Sequence, residues 1–433
     1  MKHARCVCAA ELTSASRPWA RGAWPRLALR ARLLRRMESG RAWRRLSRRL
    51  SAALLSAACV LLSGPALAAQ ASPLAGGQRD ITPRSIEAVE RALTWLAENQ
   101  SPDGSWTAHV GYKLNQNYEI SADSRPHVGV TALAGLAFLA AGHLPNRGKF
   151  GAVISRAADW TLARVNEVGY ITAHGSRMYS HAFATLFLAE VYGMTDRHDV
   201  RGRLQKAVDH IVGSQNEYGS WRYEPLAAES DMSITVCQLN ALRAARNVGI
   251  RVPRSTIDRA KTYIAASYVG AGERMAMYPD NYYSLSRGAF KYQATANTRS
   301  SFALTSAGLA ALHNAGVDGL SMQWTLDDGR VQDIDLQWSI MFLRDSIERI
   351  SPGSYYYQHY FYWYGHYYAS QALYVIGGEH WAWYYPIIRE QLVSSQQADG
   401  SWRCRVGPGE HFSTAVGAMI LSLPYGYLPI FQR

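Results

Sequence analysis

Three short segments of this chain repeat one pattern of residues. Each has a glutamine six residues before a tryptophan, with Gly-Ser directly ahead of the tryptophan: QSPDGSW at Gln100–Trp106, QNEYGSW at Gln215–Trp221 and QQADGSW at Gln396–Trp402. The tryptophans are separated by 115 and 181 residues, close to two and three multiples of a period of about 60 residues. A period of that length fits about six units after residue 70. The chain is therefore predicted to fold as a repeat array.

Two kinds of helical pattern alternate through this region and form six pairs. The first kind is amphipathic, with apolar residues at i, i+3, i+4 and i+7, as in ITPRSIEAVERALTWLAENQ. The second kind is mostly apolar and rich in small residues, as in VGVTALAGLAFLAAGH. Two concentric rings require such an alternation, because outer helices cover the inner ones. The predicted fold is all-α, an α6/α6 toroid of six inner and six outer helices, with no strand pattern of consequence.

The Gln–Trp segments on paired helices resemble the QW motif of the squalene and terpene cyclase superfamily, whose toroid is shared by the β-subunits of protein prenyltransferases. The region 70–433 is similar to exported bacterial proteins with squalene-oxidase and prenyltransferase repeats, whose chemistry is unassigned. The resemblance implies that each glutamine closes one helix and that each tryptophan stacks on the next repeat. It thereby gives a scaffold role to Gln100, Trp106, Gln215, Trp221, Gln396 and Trp402.

The first 69 residues differ in character from the rest of the chain. Residues 1–70 contain 14 Lys/Arg against 2 Asp/Glu, which accounts for most of the formal net charge of +13. The Arg-rich RAWRRLSRRL, the apolar SAALLSAACVLL and the small residues up to Ala68 are typical of a secretory signal peptide. We expect cleavage near Ala68, export to the periplasm or beyond, and Met37 as an alternative start. The region 70–433 is expected to be a single toroid domain without a transmembrane segment.

The balanced charge of the chain beyond residue 70 limits the classes of partner that the sequence predicts. Beyond residue 70 the basic and acidic residues are nearly equal in number, so charge gives no basis for nucleic-acid binding. Two cysteines occur there, Cys237 and Cys404, without a CxxC pair. Zinc is not predicted, because Cys404 and His411 are not at a recognised ligand spacing. No cofactor is predicted, and no feature of the sequence indicates an oligomeric state.

Candidate site residues lie where the inner helices begin. In related toroids the cavity opens at that end, where free backbone N–H groups favour anions or oriented polar side chains. Three loops, residues 99–126, 215–229 and 269–295, are expected to reach the same rim. The candidate ligand-binding residues are Tyr179, His181, Asp231, Thr235, Arg299, Tyr360, Trp363, Tyr364 and Tyr367. Further polar candidates at the rim are Arg125, His127, Ser233, His359, His366 and His411.

The segment ESDMSIT permits the most specific comparison with the cyclases. Squalene-hopene-type cyclases have D-x-D-D-T at the start of an inner helix, and the middle acid protonates the alkene. In this chain Asp231 takes the first position and Ser233 replaces the middle acid. A serine hydroxyl is too weak an acid for that step, so squalene-type protonation is not expected. Asp231 is expected to cap the helix; it is also a candidate for catalysis, together with His181, His366 and Tyr364.

Three functions stay open at this point. The first is binding of a hydrophobic or extended, isoprenoid-like ligand in a central aromatic cavity, part of whose wall comes from the tyrosine-rich run SYYYQHYFYWYGHYY at residues 354–368. The second is a non-enzymatic envelope scaffold, with surface aromatics such as Tyr282 and Tyr283 as contacts. The third is a carbohydrate-active α6/α6 enzyme, which needs a carboxylate pair. Glu229 and Asp231 are two residues apart, a spacing that does not share a helix face.

Overall fold

The structure is a computed structural model that describes residues 80–114, 117–271, 273, 286–294, 299–314 and 319–432. The predicted leader, residues 1–69, lies outside the described residues, and so do Tyr282 and Tyr283. Within the described ranges the chain forms twelve α-helices and two β-hairpins. The predicted all-α toroid is confirmed, and the two hairpins are additions that the sequence did not predict.

The helices alternate between an outer and an inner ring. The outer helices are α1 (Pro83–Glu98), α3 (Gly151–Leu162), α5 (His198–Gly213), α7 (Arg254–Ala266), α9 (Leu336–Ser346) and α11 (Gly378–Ser395). The inner helices are α2 (Val128–Ala140), α4 (Met178–Met194), α6 (Met232–Asn247), α8 (Phe302–Asn314), α10 (Tyr360–Ile376) and α12 (Glu410–Ser422). Each inner helix packs against the next, and α12 packs back against α2. The inner ring is therefore closed.

Burial follows the alternation of the two helical patterns. Every residue of α2 is buried, and α4, α6, α10 and α12 are buried along most of their length. Helix α1 instead buries one stripe, Ala88, Val89, Ala92, Leu93 and Leu96, and packs against α12. A helix that is apolar on all faces needs neighbours on all sides. Only the inner ring provides them. Among the described helices none is long and apolar enough to cross a lipid bilayer.

Two hairpins depart from the helical pattern. Strands β1 (Thr107–Leu114) and β2 (Asn117–Pro126) pair antiparallel directly before α2, with register shifts around Val110. Strands β3 (Ser321–Thr325) and β4 (Val331–Asp335) pair antiparallel directly before α9. The exposed residues of β2 do not alternate strictly with less exposed ones, so its sequence carries little of the period-2 signal that indicates a strand.

The three Gln–Trp segments make the same contacts in all three places. Gln100 Nε2 donates to the carbonyl oxygens of Gly104 (3.0 Å) and Val153 (2.9 Å), and the Trp106 indole N–H donates to the Leu96 carbonyl oxygen (2.8 Å). Equivalent bonds of 2.8–3.0 Å are made by Gln215, Trp221, Gln396 and Trp402. Each segment ties the end of one outer helix to the beginning of the next, and the third ties α11 back to α1.

The glycine in these segments is required by the close approach of the outer helices. Gly104 has a φ of +94°, and a Cβ at this position would lie 2.4 Å from the carbonyl oxygen of Arg156. Gly400 has a φ of +99° and approaches Arg91 in the same way. A larger residue would strain the backbone and push the neighbouring helix away.

The C-terminal end of the inner ring is filled by the segment that follows α12. Leu428, Ile430 and Phe431 are buried, and the short 3₁₀ turn Pro429–Phe431 packs against α6. The Phe431 ring lies 6.2 Å from the ring of Tyr367 on α10. The chain thus supplies its own apolar side chains at this end.

Candidate functional site

A cavity of about 200 Å³ lies at the opposite, N-terminal end of the inner ring. All six inner helices contribute residues to its wall, most of them from the first turn. These residues are Gly129, Val130, Leu133, Tyr179, Ser180, Phe183, Ser233, Ala303, Leu304, Tyr360, Phe361, Tyr364 and Phe412. The cavity therefore lies at the end where the sequence placed the candidate site.

Loops between the rings form the roof of the cavity. They contribute Val110, Gly111, Tyr112, Tyr118, Tyr223 and Tyr292. These residues come from the three loops that the sequence placed at the rim, 99–126, 215–229 and 269–295. The β1–β2 hairpin covers the α10 side, where the rings of Tyr118 and Tyr360 are 5.8 Å apart.

The wall is mostly aromatic and aliphatic. Seven tyrosines and three phenylalanines line it: Tyr112, Tyr118, Tyr179, Tyr223, Tyr292, Tyr360, Tyr364, Phe183, Phe361 and Phe412. Arg177 also lines the cavity, but its guanidinium is paired with Glu224 at 2.9 Å. Among the lining residues that the structure describes, none is an aspartate or a glutamate. The wall therefore offers apolar surface and hydroxyl groups and little net charge.

His127 belongs to this wall and caps α2. Its Nδ1 accepts the amide hydrogen of Val130 at 3.2 Å, so a neutral ring carries its proton on Nε2. Burial lowers the pKa of His127 to about 4. The imidazole is therefore uncharged at neutral pH.

Hydroxyl groups cluster in one corner of the cavity. The hydroxyl oxygens of Tyr223 and Tyr292 are 2.6 Å apart. The hydroxyl of Tyr364 donates to the backbone carbonyl oxygen of Ser233 at 3.2 Å. We call Tyr223 and Tyr292, with Asp231 beside them, the Tyr223–Tyr292 cluster.

Asp231 lies behind the wall at this corner. Its Oδ1 accepts the amide hydrogens of Ser233 (2.7 Å) and Ile234 (3.1 Å), so the predicted cap of α6 is confirmed. The residue is fully buried, and within the described residues its Oδ2 has no hydrogen-bond partner. Burial, and after it the charge of Asp231, raises the pKa of Tyr223 and Tyr292 well above the usual value. Both hydroxyls therefore keep their protons.

The structure brings some of the nine predicted ligand-binding residues together at the cavity. Tyr179, Tyr360 and Tyr364 line it. Arg299 lies beside it, with its guanidinium carbon 5.2 Å from the centre of the Tyr292 ring. Asp231 and Thr235 are behind the wall, where the Thr235 hydroxyl donates to the Asp231 carbonyl oxygen at 2.7 Å.

Two predicted residues of α10 do not line the cavity, because it reaches little beyond the first turn of this helix. Tyr367 lies one turn deeper, with its ring 6.0 Å from that of Phe183. Trp363 is fully buried against Tyr362. Phe361 lines the cavity instead, although it was not on the predicted face.

His181 and His366 contact the outer ring and not the cavity. His181 Nδ1 accepts the amide hydrogen of Ile171 at 3.1 Å, and its Nε2 is 3.2 Å from the carbonyl oxygen of Ala207 on α5. His366 Nδ1 is 2.8 Å from the hydroxyl of Tyr384 on α11. Burial lowers the pKa of both histidines to about 3, so these two neutral rings join inner to outer helices.

Several lining residues were not among the sequence candidates. They include Tyr112, Tyr118, Arg177, Tyr223 and Tyr292. All of them lie in connections that precede inner helices, where no periodic pattern indicates which side chain faces inward. For the four tyrosines the available signal was the position of their loops at the rim, whereas Arg177 lies in the connection before α4, which the sequence analysis did not place there.

Comparisons with solved structures identify the architecture. An inactive variant of the α-1,6-mannanase GH76A of Salegentibacter sp. HEL1_6, in complex with α-1,6-mannotriose, has a TM-score of 0.53 at 7% identity, over 78% of this chain and 97% of that chain. A novel α-amylase from Clostridium perfringens has a TM-score of 0.51 at 9% identity, over 78% and 97%. A variant of the type II terpene cyclase MstE from Scytonema, in complex with geranylgeranyl dihydroxybenzoate, has a TM-score of 0.45 at 13% identity, over 80% and 98%.

These likenesses concern the fold. At such low identities they confirm the α6/α6 toroid and leave the reaction open. The mannanase and the amylase, whose TM-scores exceed 0.5, carry this likeness of fold. Neither a protein-family model nor a curated protein sequence matches the chain.

Proposed function

We propose that this protein binds a small hydrophobic molecule, or one end of a longer one, in the cavity at the N-terminal end of the inner ring. The cavity wall carries this proposal, because it combines ten aromatic rings with aliphatic side chains and, among the described lining residues, no carboxylate. Moving apolar surface from water onto such a wall gains about 25 cal/mol per Å². A hydrophobic ligand is therefore the one that this wall stabilises best.

The volume of the cavity sets how much of a ligand it can enclose. An apolar cavity of about 150 Å³ accommodates benzene, and sites for drug-sized molecules measure roughly 300–1,000 Å³. At about 200 Å³, this cavity encloses a group somewhat larger than benzene. An extended isoprenoid would enter with one end and leave the remainder outside.

A carbohydrate-active function is the second candidate, favoured by the fold that the chain shares with the mannanase and the amylase. Glycosidases of most families use two carboxyl groups roughly 5–9.5 Å apart. The described cavity lining contains no carboxylate, while Glu229 is exposed and Asp231 is buried. Release of reducing sugar from a panel of glycans would favour this function over the binding of a hydrophobic ligand.

The envelope-scaffold alternative placed its contacts at Tyr282 and Tyr283, outside the described residues.

We also propose that the protein works outside the cytoplasm, as the signal-like segment before Ala68 indicates. Intact-mass measurement of the protein isolated from its own cells tests this directly. A chain that begins close to residue 69 or 70 supports export, and an uncut chain in the cytoplasm contradicts it.

Ligand binding can be tested with a pair of matched substitutions. Ala303→Leu adds three carbons to the cavity wall, whereas Ala398→Leu adds them at an exposed loop position. Titration calorimetry with a monoterpene probe should show binding by the native protein, at least about tenfold weaker binding by Ala303→Leu, and no change for Ala398→Leu. The proposal is wrong if the native protein binds no such probe, or if both variants bind as it does.

A further inference from the structure

We infer that the bound molecule carries a carbonyl group, whose oxygen accepts a hydrogen bond from Nε2 of His127. The inference rests on the proposed function, since it concerns the polar end of a molecule bound in the same cavity. It distinguishes ketones and aldehydes from hydrocarbons and carboxylates of similar shape.

The Gln–Trp segment before α2 fixes the position of His127. The His127 amide donates to the Trp106 carbonyl oxygen at 3.0 Å, and the His127 carbonyl oxygen accepts the amide hydrogen of Thr131 at 2.9 Å. Asp231 has the equivalent place before α6, where its amide donates to the Trp221 carbonyl oxygen at 3.0 Å. Asp231 lies behind the cavity wall, whereas His127 is part of the wall. The first Gln–Trp segment therefore places an imidazole in the wall at the position where the second has a carboxylate behind it.

One nitrogen of this imidazole is used by the helix, and the other faces the cavity. Nδ1 accepts the amide hydrogen of Val130 at 3.2 Å, so the hydrogen of the neutral ring is on Nε2. Nε2 has no hydrogen-bond partner within the described residues, and it is not among the side-chain atoms that the protein encloses completely. Because His127 lines the cavity and is only 8% exposed, the accessible part of the ring faces the cavity. The Nε2–H group can donate a hydrogen bond there but cannot accept one.

A second donor lies across the contact between α2 and α4. Ser180 also lines the cavity, and its Oγ would be 3.0 Å from a Cβ at Gly129, two residues after His127. The Ser180 hydroxyl makes no hydrogen bond to the described part of the chain and is likewise not completely enclosed. A carbonyl oxygen has two lone pairs, so it can accept from His127 and from this hydroxyl.

These donors discriminate among ligands. A hydrocarbon that fills the cavity leaves the His127 Nε2–H without an acceptor, and a buried donor without a partner is destabilising. A carbonyl oxygen supplies that acceptor and adds no charge to the apolar wall. A carboxylate also accepts, but the transfer of its charge from water into an apolar cavity is costly. A protonated amine brings further donors as well as a charge.

The test uses acetophenone and α-methylstyrene, which have the same shape but differ in a carbonyl oxygen against a methylene group. Asparagine and aspartate at position 127 are a matched pair, because both cap helices well and both have the same size. Beyond the capping oxygen, asparagine offers an NH₂ donor and aspartate an acceptor oxygen. In calorimetric titrations, His127→Asp should weaken the binding of acetophenone at least about tenfold relative to that of α-methylstyrene. His127→Asn should weaken it less, because a donor is retained on a shorter side chain.

The carbonyl stretching frequency of the bound ketone provides a readout that a purely structural role of His127 would not change. A hydrogen bond to the oxygen weakens the C=O bond. Infrared spectra should therefore show acetophenone in the native protein at a lower frequency than acetophenone dissolved in an alkane. In His127→Asp the frequency should return toward the alkane value. If His127→Asp does not fold, the frequency in the native protein decides.

Failure of this inference can be distinguished from failure of the proposed function. If both probes bind and the ratio of their dissociation constants is the same in the native protein and both variants, the inference is wrong while hydrophobic binding stands. The same conclusion follows if the bound ketone absorbs at the alkane frequency, or if benzoate binds more tightly than acetophenone at neutral pH. If neither probe binds the native protein, the proposed function fails and the inference fails with it.

Discussion

The two ends of the inner ring are built from the same six helices but are filled differently. At the C-terminal end, Leu428, Ile430 and Phe431 occupy the space between the helices. At the N-terminal end, helix caps and three loops surround an open volume of about 200 Å³. Close-packed protein interiors leave few voids larger than a water molecule. We therefore expect substitutions at the filled end to lower mainly the stability of the fold. On our proposal, substitutions at the open end change mainly the binding of the ligand.

The largest effect on this comparison should come from Phe431→Ala. Phe431 is buried against Tyr367, and truncation of a buried aromatic side chain costs about 3–5 kcal/mol. Denaturant unfolding should show that loss, while the affinity for a hydrophobic probe at the other end stays the same. Phe431→Leu should recover much of the stability. A loss of binding without a loss of stability would show that the two ends are not separate in function.

A pH-dependent effect on stability, which also arises from burial, is expected at Glu190 on α4. Burial raises the pKa of Glu190 to about 8, against smaller opposing effects of the Ile430 amide and Arg243. The folded protein therefore holds this carboxyl protonated at pH values where the unfolded chain has lost the proton. Stability from this group is complete below its ordinary pKa of 4.5 and declines as pH rises toward about 8.

Glu190→Gln removes this dependence, because glutamine resembles the protonated acid. At pH 9 the variant should be more stable than the native protein by on the order of 5 kcal/mol, with little difference at pH 4. Urea unfolding across that range measures the effect. Glu390→Gln is the control, since Glu390 is exposed and pairs with Arg84, and it should change stability by less than about 1 kcal/mol at either pH. Parallel pH profiles for native protein and Glu190→Gln would contradict the prediction.

The sequence predicted the architecture well because the signal was repeated. The Gln–Trp segments require Gly104 and Gly400 at positive φ, and each segment bonds to the next outer helix in the same way. The two classes of helix were also visible, since α2 is buried on every side and α1 only along one stripe. Such features depend on local spacing, which a single sequence displays.

The cavity was less predictable because its lining depends on loops. Tyr179, Tyr360 and Tyr364 were found from their place at the start of inner helices, whereas Tyr223 and Tyr292 lie in loops without periodicity. The depth of the cavity could also not be predicted from the residues that share one face of α10. It is set by how far the hairpin and the first turns approach one another, which depends on the packing of the whole ring.

Tyr112→Ala, in the roof of the open end, should have a smaller effect on stability. Its larger effect should be on the rates at which a ligand binds and dissociates. Tyr112 is 37% exposed, and the Arg177 guanidinium carbon lies 5.0 Å from the centre of its ring. An exposed contact of this kind contributes about 0.5–1 kcal/mol, so the melting temperature should change little. Loss of the ring widens the roof beside the β1–β2 hairpin, so a hydrophobic probe should associate and dissociate faster. Stopped-flow tryptophan fluorescence measures both rates. Tyr427→Ala removes an exposed ring from the segment after α12 and should leave them unchanged, whereas native rates in Tyr112→Ala would show that the ligand enters by another route.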